Sequence, residues 1–222
     1  MAIGASDCEL IRSGLVSQPF NALTSLGYVV SGGCIVFWQR RTSANLSALV
    51  FAALVALEGV GSVAFHALTN GPARWLHDDA LLASLGFVAA YELALLLRRR
   101  PDTLAAAAGV GAGVLLGVVL VAWPGATNVA LAVLVATSAV AYLARRVRDH
   151  RGPNRRDLPF TVLSVVTVGA FLLGRTGSPA CRPDSWFQFH GIWHLGTAVL
   201  AAFWAVTTIG GRADAESSTR PA

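Results

Sequence analysis

Long apolar runs alternate with short polar connections along most of this chain. Each run approaches the roughly 20 residues that a helix needs to cross the hydrocarbon core of a bilayer. The connections carry the prolines, including Pro72 in "TNGPARWLHD", where proline is expected to interrupt a membrane-spanning helix. The pattern predicts seven such helices, at about residues 20–38, 46–68, 79–97, 103–122, 127–144, 158–174 and 188–209.

We therefore expect an all-α integral membrane protein, a seven-transmembrane helix bundle that takes up residues 1–210 as one domain. Residues 211–222 are polar and small, which predicts a disordered tail after the last helix. Because the connections are short, helices that follow one another in the chain should be antiparallel neighbours.

Composition supports the membrane interpretation. Only 13% of the 222 residues are charged, whereas a soluble domain usually carries about a quarter, and the mean hydropathy is +0.59. The net charge of +5 is the one feature that would suggest a nucleic acid as a partner. All the basic residues are arginines, and they lie in the short connections. Membrane topology therefore explains the charge, and we expect no nucleic-acid partner.

The arginines also give the helices a direction across the membrane. Thirteen of the 17 arginines lie in 39–45, 98–102, 145–157 and the tail after residue 210. Positively charged connections tend to stay on the cytoplasmic side. The N-terminus is therefore expected outside the membrane and the C-terminus in the cytoplasm.

Two of the three cysteines, Cys8 and Cys181, fall on the predicted outer side. Disulfides form and persist in such compartments, so these two cysteines are candidates for a pair. The alternative is that they are unpaired and distant from each other. Cys34 lies within the first predicted helix and is expected to be a free packing residue.

Polar side chains concentrate at three places in the predicted helices, although the bilayer makes such groups costly and therefore functional candidates. They are Glu58, Ser62 and His66 on the second helix, His77, Asp78 and Asp79 at the start of the third, and His190 and His194 at the start of the seventh. Four-residue steps put the three residues of the second helix on one face of that helix. They likewise put His190 and His194 on one face of the seventh helix. With the predicted direction, all three groups lie in the outer half of the bilayer.

Three histidines that converge in a dry interior suggest zinc. Catalytic zinc sites typically use three protein ligands and leave the fourth position to water. His66, His190 and His194 supply the three ring nitrogens. Asp78 is the best candidate to accept a proton from zinc-bound water, and Ser62 is placed to hydrogen-bond the water or a developing oxyanion.

Each of these side chains also has a structural interpretation. An intramembrane histidine is commonly an interhelical hydrogen-bond partner rather than a metal ligand. His77 either supports the metal ligands or lies at the membrane interface. Asp79 either assists Asp78 or faces solvent at the N-terminus of its helix, where acids are favoured. Glu58 orients Ser62, lines the floor of a cavity, or makes a structural hydrogen bond between helices.

Taken together, Ser-x-x-x-His on the second helix, Asp at the start of the third and His-x-x-x-His on the seventh resemble the alkaline ceramidase family. That family belongs to a superfamily of seven-helix membrane hydrolases, which also includes adiponectin and progestin receptors and lipid remodelling factors of GPI anchors. The opening "CELIRSGLVSQPFNALTSLGYVVSG" and the N-outside direction are similar to the ceramidase branch. The resemblance covers essentially the whole chain.

The resemblance implies that the three histidines bind zinc, that Asp78 handles the proton, and that Ser62 lies beside the metal. It also implies a disulfide between Cys8 and Cys181, because the family has paired luminal cysteines at these places.

The N-terminal loop departs from the family. Animal members bind a regulatory calcium through an acidic loop of the form Asp-Trp-Cys-Glu-x-Asn and a later glutamate. Here the loop reads "SDCELI", and Gln18 stands where the glutamate would be. Asp7 and Glu9 are the acids of this degenerate loop. Calcium requires six to eight oxygen ligands, several of them charged, so we expect calcium binding to be absent or weak.

The expected function is hydrolysis of the amide bond of ceramide-like lipids to a fatty acid and a sphingoid base, by attack of zinc-bound water. The lipid would lie in an apolar cavity among the helices. One alternative is a zinc hydrolase of another lipid amide or ester. Another is a non-enzymatic, zinc-containing lipid receptor. The three-ligand set disfavours the receptor, because a closed structural zinc site requires a fourth protein ligand.

Overall fold

The computed structural model of the protein describes residues 4–41, 45–101, 103–149 and 157–210. These residues form seven α-helices and no strand, which confirms the all-helical fold class. The helices are α1 (Pro19–Gln39), α2 (Leu46–Leu68), α3 (Gly71–Leu96), α4 (Thr103–Ala122), α5 (Thr127–Arg148), α6 (Asp157–Leu173) and α7 (Phe189–Trp204). A 3-10 turn over Pro124–Ala126 precedes α5, and a π-helix over Ala205–Gly210 continues α7. The tail predicted over residues 211–222 lies outside the described residues.

Five of the helices in the described ranges are long and apolar enough to cross a membrane. They are α1, α2, α3, α5 and the last helix with its π-helical end, Phe189–Gly210. The other two contain shorter apolar stretches, Ala106–Val119 and Leu158–Leu173. Helices of this length and hydropathy are typical of an integral membrane protein.

Helix α3 begins at Gly71 rather than near residue 79, where the sequence pattern placed its start. The Asn70 side chain accepts a hydrogen bond from the backbone N–H of Ala73 (3.0 Å) and so caps the first turn. Pro72 lies in that turn, where a backbone N–H has no acceptor within the helix. The N–H that proline lacks therefore costs no hydrogen bond there. A proline that was expected to interrupt a helix therefore helps to start one. Asp79 consequently lies inside α3, and the prediction that it occupies the helix N-terminus is wrong.

The chain divides into two compact units, and the first consists of Met1–His77 with Pro159–Ala222. In this unit α1 packs against both α2 and α7. Small residues allow the close approach of α1 and α2, since a β-carbon on Gly32 would lie 2.7 Å from the Ala52 carbonyl oxygen. Phe51 and Trp204 pack edge to face in the core of this unit, with ring centroids 4.9 Å apart.

The second unit, Asp78–Leu158, contains most of α3 together with α4 and α5. Helices α3 and α4 pack backbone to backbone, since a β-carbon on Gly86 would lie 2.7 Å from the Gly109 carbonyl oxygen. Glu92 of α3 is 1% exposed and forms a bidentate ion pair with Arg145 of α5, at 2.9 and 3.1 Å. A buried carboxylate needs such a partner, so this pair fixes α3 against α5.

Candidate metal centre

The first unit brings together the three histidines that the sequence pattern singled out. His66 lies near the end of α2, and His190 and His194 are one turn apart at the start of α7. One ring nitrogen of each lies within 4.8 Å of the others, a spacing that a single metal ion can bridge. The ring centroids are 4.6 Å apart for the α7 pair, and all three side chains are buried. The predicted grouping of these histidines is confirmed.

A glycine between the two α7 histidines allows this helix to approach α1. A β-carbon on Gly191 would overlap the ring of Phe20 and would lie 2.8 Å from the hydroxyl oxygen of Thr24. Glycine at this position therefore permits the contact that brings His194 to the polar face of α1.

One buried ring nitrogen on each histidine has no hydrogen-bond partner among the described residues. These nitrogens are Nε2 of His66, Nδ1 of His190 and Nε2 of His194. Burying a polar atom without a partner costs on the order of 1–3 kcal/mol, so three in one place need an explanation. Neutral imidazole nitrogens are good ligands for zinc, and a metal ion would satisfy such atoms. The donor set therefore fits the metal that the sequence suggested.

The hydrogen bonds of Gln18 determine which nitrogen of His66 is free. The Gln18 amide nitrogen donates to the backbone carbonyls of Gly4 (3.1 Å) and Glu9 (2.9 Å). The amide oxygen of Gln18 therefore faces Nδ1 of His66, at 2.7 Å, and must accept a hydrogen bond from its N–H group. With the proton on Nδ1, the lone pair of His66 lies on Nε2, the orphaned atom.

Two hydroxyls of α1 determine which ring nitrogen of His194 carries the proton. Thr24 Oγ1 and Ser25 Oγ each lie 3.2 Å from Nδ1 of His194. Ser25 donates its own proton to the carbonyl oxygen of Asn21 (2.7 Å), and Thr24 donates to that of Phe20 (2.9 Å). Both hydroxyls are therefore acceptors toward His194, which places the proton on Nδ1 and the lone pair on Nε2.

Ser62 belongs to the same network. Its Oγ lies 2.8 Å from Ser25 Oγ, and both side chains are fully buried. Because the Ser25 proton goes to the backbone of α1, Ser62 is the donor in this bond. The sequence placed Ser62 as a hydrogen-bond donor beside the metal. In the structure it lies one hydroxyl away from His194, and its proton is directed to Ser25.

Asp7 lies against the third histidine. Its Oδ1 is 3.6 Å from Nδ1 of His190 and 2.9 Å from an NH group of Arg175. Burial raises the pKa of the Asp7 carboxyl above its ordinary value, and the Arg175 guanidinium opposes that shift. The Asp7 carboxyl therefore lies beside the same ring nitrogen of His190 that has no hydrogen-bond partner among the described residues.

The other acid of the N-terminal loop caps a helix. The two carboxylate oxygens of Glu9 accept the backbone N–H groups of Phe20 and Asn21, each at 2.8 Å. Burial raises the pKa of this carboxyl, and the two N–H groups counter part of the rise. Weak or absent calcium binding stays a prediction.

The predicted pairing of Cys8 with Cys181 is confirmed by a disulfide between them. Cys34 is free, and it is exposed on α1 rather than packed in the core.

The remaining predicted residues of the first unit surround the three ligands without joining them. The His77 ring lies 6.3 Å from that of His66 and stacks on Phe65 at 5.2 Å. Glu58 is buried and lies within hydrogen-bonding reach of Tyr28, which also contacts Thr197 of α7. A structural role between helices, one of the interpretations of Glu58, therefore has direct support.

The two aspartates that follow His77 belong to the second unit. Asp78 Oδ2 accepts a long hydrogen bond from Thr127 Oγ1, at 3.5 Å. The Asp79 carboxylate occupies the space that a β-carbon on Gly117 of α4 would need. Asp79 is therefore packed against another helix.

The sequence reasoning missed the contribution of α1 to this centre. Four buried polar residues on and just before this helix face the histidines or one another: Gln18, Asn21, Thr24 and Ser25. Their spacing of three and four residues marks one helix face, which was a readable signal. Neither atom of the Asn21 side-chain amide has a hydrogen-bond partner within the described ranges, although Asn21 is fully buried.

No family model matches this chain, and no curated protein or solved structure matches it. The chemistry of the centre must therefore be argued from its own residues. They offer three neutral imidazole nitrogens, fixed tautomers on His66 and His194, and an unpaired amide on Asn21.

Proposed function

We propose that the protein is an intramembrane zinc-dependent hydrolase that cleaves the amide bond of ceramide-like lipids to a fatty acid and a sphingoid base. The observation that carries this proposal is the set of three buried histidines with unpartnered ring nitrogens. Among the described residues, no fourth histidine, cysteine, aspartate or glutamate completes the group. Three ligands and an open position are typical of catalytic zinc, whereas structural zinc usually has four protein ligands.

Zinc, when bound by the three histidines, supplies a Lewis acid that activates water and polarises an acyl carbonyl. Gln18, Thr24 and Ser25 hold two of the ligands in the required tautomer. Asp78 would take a proton from the attacking water and would give it to the amine nitrogen as the carbon–nitrogen bond breaks. The support for this role is the sequence resemblance, in which an aspartate stands at the start of the third predicted helix.

Two side chains could donate a hydrogen bond to the oxyanion that such a reaction would form at the carbonyl oxygen. Ser62 would exchange its bond to Ser25 for one to the oxyanion. Asn21 lies on the α1 face of Thr24 and Ser25, one turn earlier, and its unpaired side-chain N–H is available without any such exchange. We therefore assign Asn21 the larger share of this stabilisation.

We further propose that all seven helices cross the membrane, with the N-terminus outside and the C-terminus in the cytoplasm. The excess of arginine in alternate connections supports this direction. The metal centre would then lie in the outer half of the bilayer, and the lipid would reach it from within the membrane.

Metal analysis and a substrate panel test the proposal together. Purified protein should contain about one zinc, and His190→Ala or His194→Ala should lose it. Wild-type protein should release a fatty acid from ceramides, detected by mass spectrometry, when offered ceramides, other lipid amides and lipid esters. If both histidine variants retain full zinc, the assignment of the site is wrong.

Asp78→Asn separates metal binding from chemistry, because it should retain zinc and lose hydrolysis. Asp149→Asn is the matched control, since it removes a carboxylate paired with Arg148 and should leave hydrolysis unchanged. Zinc binding with no product from any lipid in the panel would refute the hydrolase and favour the receptor alternative. Release of fatty acid from esters alone would keep the metal chemistry and overturn the ceramide assignment.

A further inference from the structure

The segment that precedes α1, residues 4–18, is fastened at two places in the first unit. Near its start, the Cys8–Cys181 disulfide and a hydrogen bond from Cys8 N–H to the Gly174 carbonyl (2.9 Å) tie it to the connection between α6 and α7. At its end, the Gln18 N–H donates to the carbonyl of His66 (2.9 Å). The segment thus spans from the connection between α6 and α7 to the last turn of α2, the helix that carries His66.

Two side chains of this segment meet two different histidines of the centre. Gln18 contacts His66 twice, through its backbone N–H and through its amide oxygen, and it is fully buried. Asp7 lies 3.6 Å from Nδ1 of His190 and is 5% exposed. The third histidine, His194, receives its acceptors from α1 instead.

We propose that residues 4–18 are a positioning segment of the metal centre, in which Gln18 orients His66 as a metal ligand. The Cys8–Cys181 disulfide holds the start of this segment against the connection between α6 and α7. This inference rests on the proposed metal site but not on hydrolysis, because it concerns how tightly the metal is held.

The physical basis is the effect of an acceptor on the far nitrogen of a metal-bound imidazole. Such an acceptor fixes the tautomer and the ring orientation and raises the basicity of the ligating nitrogen. Loss of such a partner typically weakens metal binding by about 10- to 100-fold. The Gln18 bond is short and doubly anchored, so its loss should lie toward the larger effect. Asp7 faces Nδ1 of His190, the nitrogen offered to the metal, and therefore does not act as an acceptor of this kind.

Competition of the purified protein with a chromophoric zinc chelator measures this effect directly. Gln18→Met keeps the volume of the side chain and removes the acceptor, and its zinc dissociation constant should rise by roughly 10- to 100-fold. Gln39→Met is the matched control. Gln39 is also buried on α1, but its amide oxygen accepts the Asn45 N–H at the other end of the helix. Its zinc affinity should stay within about twofold of wild type.

The double substitution Cys8→Ser with Cys181→Ser tests the other end of the segment. It should raise the zinc dissociation constant by less than Gln18→Met does, because Gln18 keeps its own two bonds to His66. Asp149→Asn should leave it unchanged. Melting temperatures of the metal-free variants distinguish loss of positioning from loss of folding. Unchanged zinc affinity in folded Gln18→Met protein would overturn the proposal.

A measurement on wild-type protein keeps the inference testable if a variant does not fold. Nitrogen-15 NMR of histidine-labelled, zinc-loaded protein should show His66 with its proton on Nδ1, and a proton on Nε2 would overturn the proposal. Zinc affinity that falls as expected in a protein without hydrolase activity would support the positioning segment and refute only the hydrolase. Hydrolase activity in the wild-type protein with unchanged zinc affinity in the variants would support the hydrolase and refute the positioning segment.

Discussion

Gly191→Ala tests whether the packing of α1 against α7 determines the geometry of the metal centre. The substitution adds one methyl group between the two α7 histidines. That methyl would overlap the Phe20 ring and lie 2.8 Å from Thr24 Oγ1, whereas ordinary contacts begin at about 3.4 Å. Thr24 cannot easily retreat, because its hydroxyl donates to the backbone of α1 and accepts from His194. Helix α7 must therefore move away from α1 by about 0.6 Å.

The expected magnitudes follow from that displacement. Overpacking of this kind costs about 1–3 kcal/mol, and the better helix propensity of alanine returns up to about 1 kcal/mol. We expect a net loss of roughly 1–2 kcal/mol in the free energy of unfolding of the metal-free protein. Metal–ligand distances tolerate only about 0.2 Å, so a shift of 0.6 Å in the helix that carries two ligands should weaken zinc binding at least tenfold.

The assay is chelator competition for zinc, together with thermal unfolding of the metal-free protein in detergent. Gly33→Ala is the matched control, because Gly33 is also helical and no atom would lie within 4 Å of its β-carbon. This control should bind zinc as wild type does and should be unchanged or slightly stabilised. Wild-type zinc affinity and stability in Gly191→Ala would refute the close contact of the two helices and the reasoning built on it.

Two further predictions concern buried carboxylates. Glu9→Ala leaves the N–H groups of Phe20 and Asn21 without their acceptor and should cost about 2–3 kcal/mol in unfolding free energy, measured by denaturant titration. Glu9→Gln keeps one acceptor oxygen and should cost less, and an equal loss in both variants would contradict the capping role. Arg145→Met removes the buried ion pair with Glu92 and should cost about 3–5 kcal/mol in unfolding free energy. Adding Glu92→Leu should recover most of that loss, and a strictly additive double variant would argue against the pair.

The sequence could predict which histidines meet, because the necessary information is local. The four-residue step between His190 and His194 is a property of one helix, and so is the step that ends at His66. The cost of polar groups in lipid then supplies the reason for these residues to face one another. The all-helical fold could be predicted for a similar reason, since only helices and closed barrels satisfy the backbone in a bilayer.

The partners of those histidines could not be predicted in the same way. Gln18 lies 48 residues from His66 in the chain, and their contact depends on the path of a segment that has no regular structure. The start of α3 was misplaced because a proline can either interrupt a helix or begin one. The cap from Asn70 decides between these outcomes, and it is recognisable only when the helix start is already known.

The Cys8–Cys181 disulfide also has a consequence for biosynthesis. At roughly 5–20 residues per second, the 173 positions that separate its two cysteines take about 9–35 s to translate. With the proposed direction of the helices, Cys34 lies toward the cytoplasmic end of α1, so it is not a partner for Cys8 during that interval. A mixed disulfide formed meanwhile between Cys8 and another thiol would have to be exchanged before Cys8 could reach its final partner. The yield of native protein should therefore depend on how fast the compartment oxidises thiols relative to the rate at which the ribosome delivers the last helix.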